Sequence, residues 1–286
     1  MTTATIQRSG PPAVGVANRV RRLADRYLLF TYTGLAVSYL LLPVAIIILF
    51  SFNNPAGRRN FVWQEFSLDA WLHPFAVPGL ERAVWLSLEI AAVSTLVATV
   101  LGTLMALALV RYEFRGKRLT NSLIFLPMAT PEIVMGASLL TLFVSFGGPP
   151  FFPLSLVTIL IAHILFNISY VVVTVRARLA GFPRHLEEAA MDLGANEWQT
   201  FWRVTFPLIL PGIIAAALLA FSLSIDDFVI TNFTAGRTQT FPMFIYAQAK
   251  VGVPVQVYVI GSVIFLVAVI SVGLTTLAGR RNSTSK

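Results

Sequence analysis

The sequence predicts an all-α membrane protein with six transmembrane helices and one structured loop on the cytoplasmic side. The first observation is composition, because 56% of the 286 residues are hydrophobic, 12% are charged and the mean hydropathy is +0.77. A soluble domain of this size cannot cover so many apolar side chains with water-facing ones. The second observation is a series of long apolar runs. A helix needs roughly 20 such residues to cross a bilayer, and helices satisfy their own backbone groups in lipid.

Six segments are long and apolar enough to be spans. They are about 28–50, 83–109, 119–146, 154–176, 206–230 and 256–279. The first run is longer than a signal-peptide core and has no obvious small-residue cleavage site, so we expect it to be retained as a span. The predicted organisation is a tail at 1–27, a helical membrane domain at 28–279 and a second tail at 280–286.

Lys and Arg residues predict the orientation. Most of the 21 lie in the first tail, in the loop around 111–118, between 176 and 203, and after 280. Basic residues concentrate on the cytoplasmic side of membrane proteins, so we place both termini in the cytoplasm. Because these residues flank apolar runs, the net charge of +8 reflects topology and does not indicate nucleic-acid binding.

The sequence also argues against several chemistries. It contains no cysteine, and its three histidines, His73, His163 and His185, do not have the spacing of metal ligands. It has no GxxxxGK[ST] phosphate loop, so we expect no ATPase site in this chain. We therefore expect no catalytic residue, no metal site and no cofactor.

The longest cytoplasmic connection, within residues 177–211, is predicted to form a helix-turn-helix. Pro183 can open the first helix, and Gly194 can adopt the left-handed conformation that ends it. Asn196 can cap the second helix, with Gln199 as its capping-box partner. That helix carries Trp198, Phe201 and Trp202 ahead of Pro207. A cytoplasmic loop with this many apolar side chains is typical of a docking element.

The run EEAAMDLGANEWQTFWRVTFPLILPGI resembles the EAA motif of bacterial ATP-binding-cassette (ABC) importer permeases. The motif's fixed positions are matched by Glu188, Ala189, Ala190, Gly194 and Pro207. Val204 and Phe206 stand where Ile and Leu are usual, and both keep apolar character. The resemblance implies a type I importer permease fold in which this segment forms coupling helices that sit in a cleft of the ATPase. The residues it implies for coupling are Glu187, Glu188, Ala189, Ala190, Asp192, Gly194 and Pro207.

Acidic residues inside the predicted spans indicate a path for cations. A charge at bilayer depth costs a few kcal/mol or more and usually faces an interior path or a partner. The deep charges are all acidic: Glu89, Glu132, Asp226 and Asp227. Glu89 has the simpler explanation of pairing with Arg82. The two aspartates are expected near the outer end of the fifth helix, where they line the path or bind the outer loop or a second permease.

Glu132 follows two prolines, Pro127 and Pro131, which interrupt the third predicted span. Broken helices at membrane depth are tolerated where they line a cavity. Two interpretations of Glu132 remain open. It touches the substrate, or it is a structural carboxyl paired with His163 or Asn167.

Further stretches resemble one branch of the same family, the second permease of spermidine and putrescine importers. They are SFN at 51–53, PEIVMGASLL at 131–140, SLSIDDFVI at 222–230 and FPMFIYAQAKVGV at 241–253. The resemblance implies a polyamine substrate, for which carboxylates and aromatic walls are suitable, and Tyr170 and Phe228 are candidate walls. It also implies a location in the bacterial inner membrane. The implied partners are a homologous second permease, an ATPase dimer that holds ATP and Mg²⁺, and an extracytoplasmic substrate-binding protein.

Two rival interpretations remain open from sequence. The coupling motif does not identify the cargo, so an importer of another solute, such as iron or thiamine, is an alternative. A stand-alone secondary transporter or channel would predict an internal sequence repeat. We find no convincing repeat.

Overall fold

The computed structural model describes residues 16–57, 59–181 and 183–283, with side chains described for 27–57, 59–181, 183–267 and 269–270. Apart from one antiparallel bridge between Asn53 and Phe66, the ordered elements in these ranges are helices. They are α1 Val16–Phe50, α2 Asp69–Leu72, α3 Leu80–Arg111, α4 Lys117–Ala129, α5 Glu132–Phe146, α6 Leu156–Ala180, α7 His185–Asp192, α8 Glu197–Thr200, α9 Phe206–Ile225, α10 Val229–Thr234, α11 Phe241–Ala249 and α12 Val255–Ser283. A π-helical turn, Phe201–Thr205, joins α8 to α9.

Most predicted spans correspond to long helices. Among the described residues, four stretches are long and apolar enough to cross a membrane: Tyr27–Phe50 of α1, all of α3, all of α6, and Glu197–Ile225. They confirm the first, second, fourth and fifth predicted spans. The sixth predicted span falls on α12, whose described apolar stretch is Val255–Val267.

The third predicted span, 119–146, is two helices. The axes of α4 and α5 differ by 111° across Thr130 and Pro131, and Thr130 has extended backbone angles. A residue that precedes proline is pushed out of the helical region, which explains why the break falls there. Pro127 lies inside α4 without ending it. The predicted interruption is therefore confirmed at Pro131 only.

The fifth span differs from the prediction at both ends. It starts at Glu197, because α8 continues through the π-helical turn into α9, and it ends at Ile225. Asp226 closes α9, and α10 begins at Val229. The prediction that Asp226 and Asp227 lie on one continuous helix is therefore wrong, since they occupy the break between two helices.

The predicted tails lie partly outside the described residues. Residues 1–15 and 284–286 are not described, whereas the backbone is already helical from Val16 and stays helical to Ser283. Helical structure thus extends into both of the segments, 1–27 and 280–286, that the sequence assigned to tails.

The chain divides into two compact units. One combines the chain up to Pro74 with the segment from Val255, and the other is Phe75–Pro254. In the second unit α3, α6 and α9 pack around a shared apolar core. Helices α3 and α6 approach closely at Gly102, where a Cβ atom would lie 2.7 Å from the Val171 side chain. All candidate site residues belong to this second unit.

Candidate coupling surface and substrate path

A glycine turn joins the two helices of the predicted coupling segment. α7 ends at Asp192, and Gly194 has a φ of +90°, a conformation that other residues rarely adopt. The Gly194 N–H donates to the Met191 carbonyl at 2.9 Å, and the Ala195 N–H donates to the Ala190 carbonyl at 3.1 Å. These bonds satisfy carbonyls left over at the helix end. The predicted left-handed stop at Gly194 is confirmed.

The second helix of the predicted coupling segment is part of the fifth span. The Asn196 side chain accepts a hydrogen bond from the Gln199 N–H at 2.8 Å, and the Gln199 side chain accepts one from the Asn196 N–H at 3.1 Å. This confirms the predicted capping box. The helix does not stop before Pro207 as predicted. The wider π-helical turn carries it into α9, where Pro207 occupies the first turn.

The tip of the coupling segment presents apolar side chains to solvent. Leu193 is 90% exposed and Trp198 is 70% exposed. Further large apolar residues of the segment that are exposed are Leu186, Met191 and Trp202. Small Ala189 is exposed beside them. Exposed apolar side chains grouped in one segment are typical of protein–protein contact sites.

The two acidic residues of α7 have different environments. Glu187 Oε1 lies 2.9 Å from Arg111 Nη2, and it accepts a hydrogen bond from the Thr205 hydroxyl at 2.8 Å. The Glu187 side chain is 13% exposed, whereas that of Glu188 is 57% exposed and lies 3.7 Å from the Arg184 guanidinium. Glu187 thus ties α7 to the end of α3 and to the π-helical turn. Any part it takes in coupling acts through those two partners.

The two aspartates at the α9–α10 break also differ from each other. The Asp227 carboxylate accepts hydrogen bonds from the Thr231 N–H at 2.8 Å and from the Thr231 hydroxyl at 2.6 Å. It lies 3.4 Å from His163 Nε2, and its side chain is only 6% exposed. Asp226 is exposed. Of the pair, only Asp226 is therefore open to a solute.

His163 belongs to a buried polar network around Asp227. Its Nδ1 lies 2.6 Å from the Ser224 hydroxyl, which lies 3.0 Å from the Ser94 hydroxyl. Its Nε2 lies 2.9 Å from the Thr231 hydroxyl. The expectation that His163 pairs with Glu132 is wrong, because both ring nitrogens are engaged here. The network joins residues more than 60 positions apart in the chain, a separation that no local motif reveals.

Asn167 and Glu132 do not form the other expected pair. Asn167 is fully buried, and neither side-chain amide atom has a hydrogen-bond partner among the described residues. Glu132 is exposed in the first turn of α5, where the helix dipole favours a negative charge. The Tyr170 ring packs edge-on against Phe166 at 4.9 Å, and Tyr170 and Met135, which lies one turn after Glu132, pack on the same apolar cluster. Glu132 and Tyr170 therefore belong to one locality.

A second aromatic pair adjoins the aspartates. The Phe228 and Tyr246 ring centroids are 4.7 Å apart, and the Lys250 ammonium lies 4.9 Å from the centre of the Tyr246 ring. Phe228 was predicted from sequence as a candidate wall, whereas Tyr246 and Lys250 were missed, although their i, i+4 spacing was available as a signal. The lysine shows that an alkylammonium group fits over the Tyr246 ring.

The chain was compared with known proteins. Residues 98–283 match the family model described as binding-protein-dependent transport system inner membrane component. The chain is 35% identical over 247 residues to the spermidine/putrescine transport system permease protein PotC of Haemophilus influenzae, across 86% of this chain and 94% of that protein. It is 37% identical over 234 residues to the putrescine transport system permease protein PotI of Escherichia coli K12, across 80% and 83% of the two chains.

The fold is similar to that of a solved bacterial ABC transporter involved in the import of the acidic polysaccharide alginate. The TM-score is 0.65 over 93% of this chain and 99% of that one, at 18% sequence identity. This structural similarity shows a shared fold, while the family match and the two permease relatives show common ancestry. On these grounds the chain belongs to the family of binding-protein-dependent transport system inner membrane components.

Proposed function

We propose that this chain is a permease subunit of an ATP-driven importer that carries polyamines, such as spermidine and putrescine, into the cytoplasm. The main support is its similarity to a spermidine/putrescine permease across 94% of that protein's length. The family description implies a binding protein that delivers the substrate. We therefore place the chain in the bacterial inner membrane, with both termini cytoplasmic and an extracytoplasmic binding protein on the opposite face.

The chemistry of the candidate path suits a flexible polycation. Asp226 is exposed at a helix break, and Glu132 is exposed one turn before Met135, which packs on the same apolar cluster as Tyr170. Phe228 and Tyr246 form an aromatic pair, and the Tyr246 ring already accepts the Lys250 ammonium. Carboxylates bind ammonium groups through charge-assisted hydrogen bonds, and aromatic faces attract the same groups. A linear polyamine needs several such places, separated along its length.

Energy for transport comes, in this proposal, from a separate ATPase dimer that holds ATP and Mg²⁺. The exposed tip with Leu193 and Trp198 is the surface that docks on it. A homologous second permease completes the membrane part. Because no phosphate loop occurs in the sequence, this chain contributes docking and movement while its partner hydrolyses ATP.

The continuity of α8 with α9 supports a direct mechanical link. One helical stretch runs from Glu197, next to the docking surface, to Ile225, directly before Asp226. The ion pair between Glu187 and Arg111 ties α7 to α3 at the same end. A displacement of the coupling helices by the ATPase is therefore passed to the path carboxylate. Alternating access follows if closure of the motor turns the path outward and hydrolysis resets it.

Uptake in cells tests the cargo. Cells that lack this subunit and cells complemented with it are given labelled spermidine and labelled putrescine in separate experiments. We expect complementation to restore uptake of at least one polyamine, and a chain carrying Glu188→Arg to insert normally without restoring it. Unchanged polyamine uptake on removal of the subunit, with loss of iron or thiamine uptake, would overturn the polyamine assignment and keep the importer assignment.

Gly194 tests the coupling assignment independently of cargo. A Cβ atom at Gly194 would meet nothing within 4 Å, so only the positive φ opposes a side chain there. We expect Gly194→Val to abolish substrate-stimulated ATPase activity in the purified assembly. Gly194→Asn should retain most of it, because Asn tolerates the left-handed region. Equal activity of the two variants would contradict a requirement for this turn.

A further inference from the structure

A basic pocket lies at the end of the helix bundle that carries α7, apart from the carboxylates of the proposed path. Its volume is about 490 Å³, and it is formed by the end of α3, the start of α4 and the last turns of α6. Its charged lining consists of Lys117, Arg118, Arg176 and Glu113. Leu109 and Phe114 supply apolar wall. Neither the substrate path nor the docking tip uses this pocket.

The pocket has a surplus of positive charge. The Lys117 ammonium lies 2.7 Å from the Glu113 carboxylate and also donates to the Tyr112 carbonyl at 3.0 Å. Arg176 donates to the neutral side chain of Asn121. Glu113 is the lone acidic group in the described lining, so it can balance one of three cationic side chains. An anion in the pocket would neutralise the remainder.

The start of α4 adds to this preference for an anion. α4 spans 13 residues and begins at Lys117, and its N-cap is Gly116, which provides no side-chain cap for the N–H groups of the first turn. The Lys117 N–H donates to the Phe114 carbonyl at 3.3 Å, and the Thr120 N–H donates to the Gly116 carbonyl at 2.9 Å. The other N–H groups of this turn and the helix dipole favour phosphate oxygens. Cationic side chains and helix terminus therefore converge on one cavity.

The position of the pocket along the spans favours a lipid as the source of the anion. The membrane-spanning helices α3 and α6 end at Arg111 and Ala180, and the apolar part of α4 starts at Leu119. The pocket thus lies where spans meet the aqueous face, which is the level of lipid headgroups. The exposed apolar side chain of Phe114 borders the charged ones, as the glycerol and acyl portions of a lipid require.

We infer that this pocket binds the phosphate headgroup of an anionic phospholipid in the leaflet on the coupling-helix side. Basic pockets between transmembrane helices on that face are suited to such headgroups. The inference depends on the membrane placement of the chain and is independent of the cargo. A lipid bound here would brace the α3–α4 connection, directly beyond the Arg111 that holds Glu187.

Lipid binding to the purified full assembly tests the inference. Native mass spectrometry would measure binding of phosphatidylglycerol and of phosphatidylethanolamine to the assembly with the unaltered chain, with Lys117→Gln/Arg118→Gln, or with Arg184→Gln/Arg203→Gln. The last variant removes the same charge at the same end but outside the pocket. We expect the pocket variant to bind phosphatidylglycerol about 30-fold more weakly, at about fivefold per cationic side chain, and the control variant to be unchanged.

Several results would overturn the inference of an anionic-lipid site. Equal weakening in the control variant would mean a diffuse surface charge, and equal binding of phosphatidylethanolamine would mean no preference for anionic lipid. Displacement of phosphatidylglycerol by equimolar inorganic phosphate would identify a soluble phosphate site. Release of the ATPase by the pocket variant with unchanged lipid affinity would make the pocket a protein contact. If the double variant does not assemble, Arg118→Gln alone should still weaken binding about fivefold.

Discussion

The second unit contains two pairs of carboxylates that are neighbours in sequence, one pair at the coupling end and one at the α9–α10 break. In both pairs one acid is buried and the other is exposed. At the coupling end Glu187 is 13% exposed and held by Arg111 and Thr205, while its neighbour Glu188 is 57% exposed. At the α9–α10 break the Asp227 side chain is 6% exposed and held by Thr231 and His163, while Asp226 is exposed. In each pair one acid fixes the local structure and the other is available to a partner.

The comparison teaches that adjacency in sequence does not imply a shared role. Burying a carboxylate is costly unless charged or hydrogen-bonding partners surround it, so each buried acid requires a prearranged set of partners. Those partners come from other helices: Arg111 from the end of α3, and His163 from α6. The neighbouring acid in each pair has no comparable set of partners, so its side chain faces outward.

The largest expected effect concerns the exposed acid at the coupling end. We expect Glu188→Arg to cause near-complete loss of uptake and of substrate-stimulated ATPase activity, because it reverses a charge on the docking face. Thermal unfolding of the purified chain should be unchanged, since exposed ion pairs such as that with Arg184 contribute little to stability. Uptake and melting temperature measured together check this. A variant that unfolds early and loses uptake for that reason would contradict the comparison.

The buried acids should show the opposite pattern. We expect Asp227→Asn to lower the free energy of unfolding by about 3 kcal/mol, because it breaks a buried charged network. Glu187→Gln should lower it by about 2 kcal/mol, since its partners are less fully buried. Equilibrium unfolding in detergent is the measurement.

A double-mutant cycle sharpens the Glu187 case. Arg111→Met, Glu187→Leu and the combined variant are compared with the unaltered chain. The combined variant should be more stable than the sum of the single losses predicts, because neither charge is left buried without its partner. Strict additivity would show that the two side chains do not interact.

The third effect, on substrate affinity, belongs to Asp226. We expect Asp226→Asn to raise the KM of polyamine uptake about tenfold, the loss expected for one charge-assisted hydrogen bond, with unchanged stability. Asp226→Glu, which keeps the charge, should recover part of the affinity. A rise in KM caused equally by Asp227→Asn in correctly folded protein would remove the distinction between the two aspartates.

Much of the fold, but less of the site, could be predicted from sequence. A span is determined by the length of one apolar run, and the turn at Gly194 is determined by residues within a few positions of it. Both could therefore be predicted from sequence. Two pairings, His163 with Asp227 and Arg111 with Glu187, form only when helices from distant parts of the chain pack together. No local sequence pattern predicts them. The π-helical turn that joins α8 to α9 was also missed, because Pro207 ordinarily indicates a helix start.

The smallest expected effect concerns the aromatic wall. Tyr246→Leu should raise the KM of polyamine uptake about two- to fivefold, the contribution of one cation–π contact, because the leucine keeps apolar volume without an aromatic face. Tyr246→Phe should stay close to the unaltered chain, since the ring is preserved against Phe228.

Lys250 complicates the result, because its own ammonium occupies this ring and competes with the substrate. We therefore expect Lys250→Gln to lower the KM when Tyr246 is present and to have no effect in the Tyr246→Leu background. An equal effect of Lys250→Gln in both backgrounds would show that the lysine acts elsewhere, and the ring pair would then be a packing feature of the α10–α11 region.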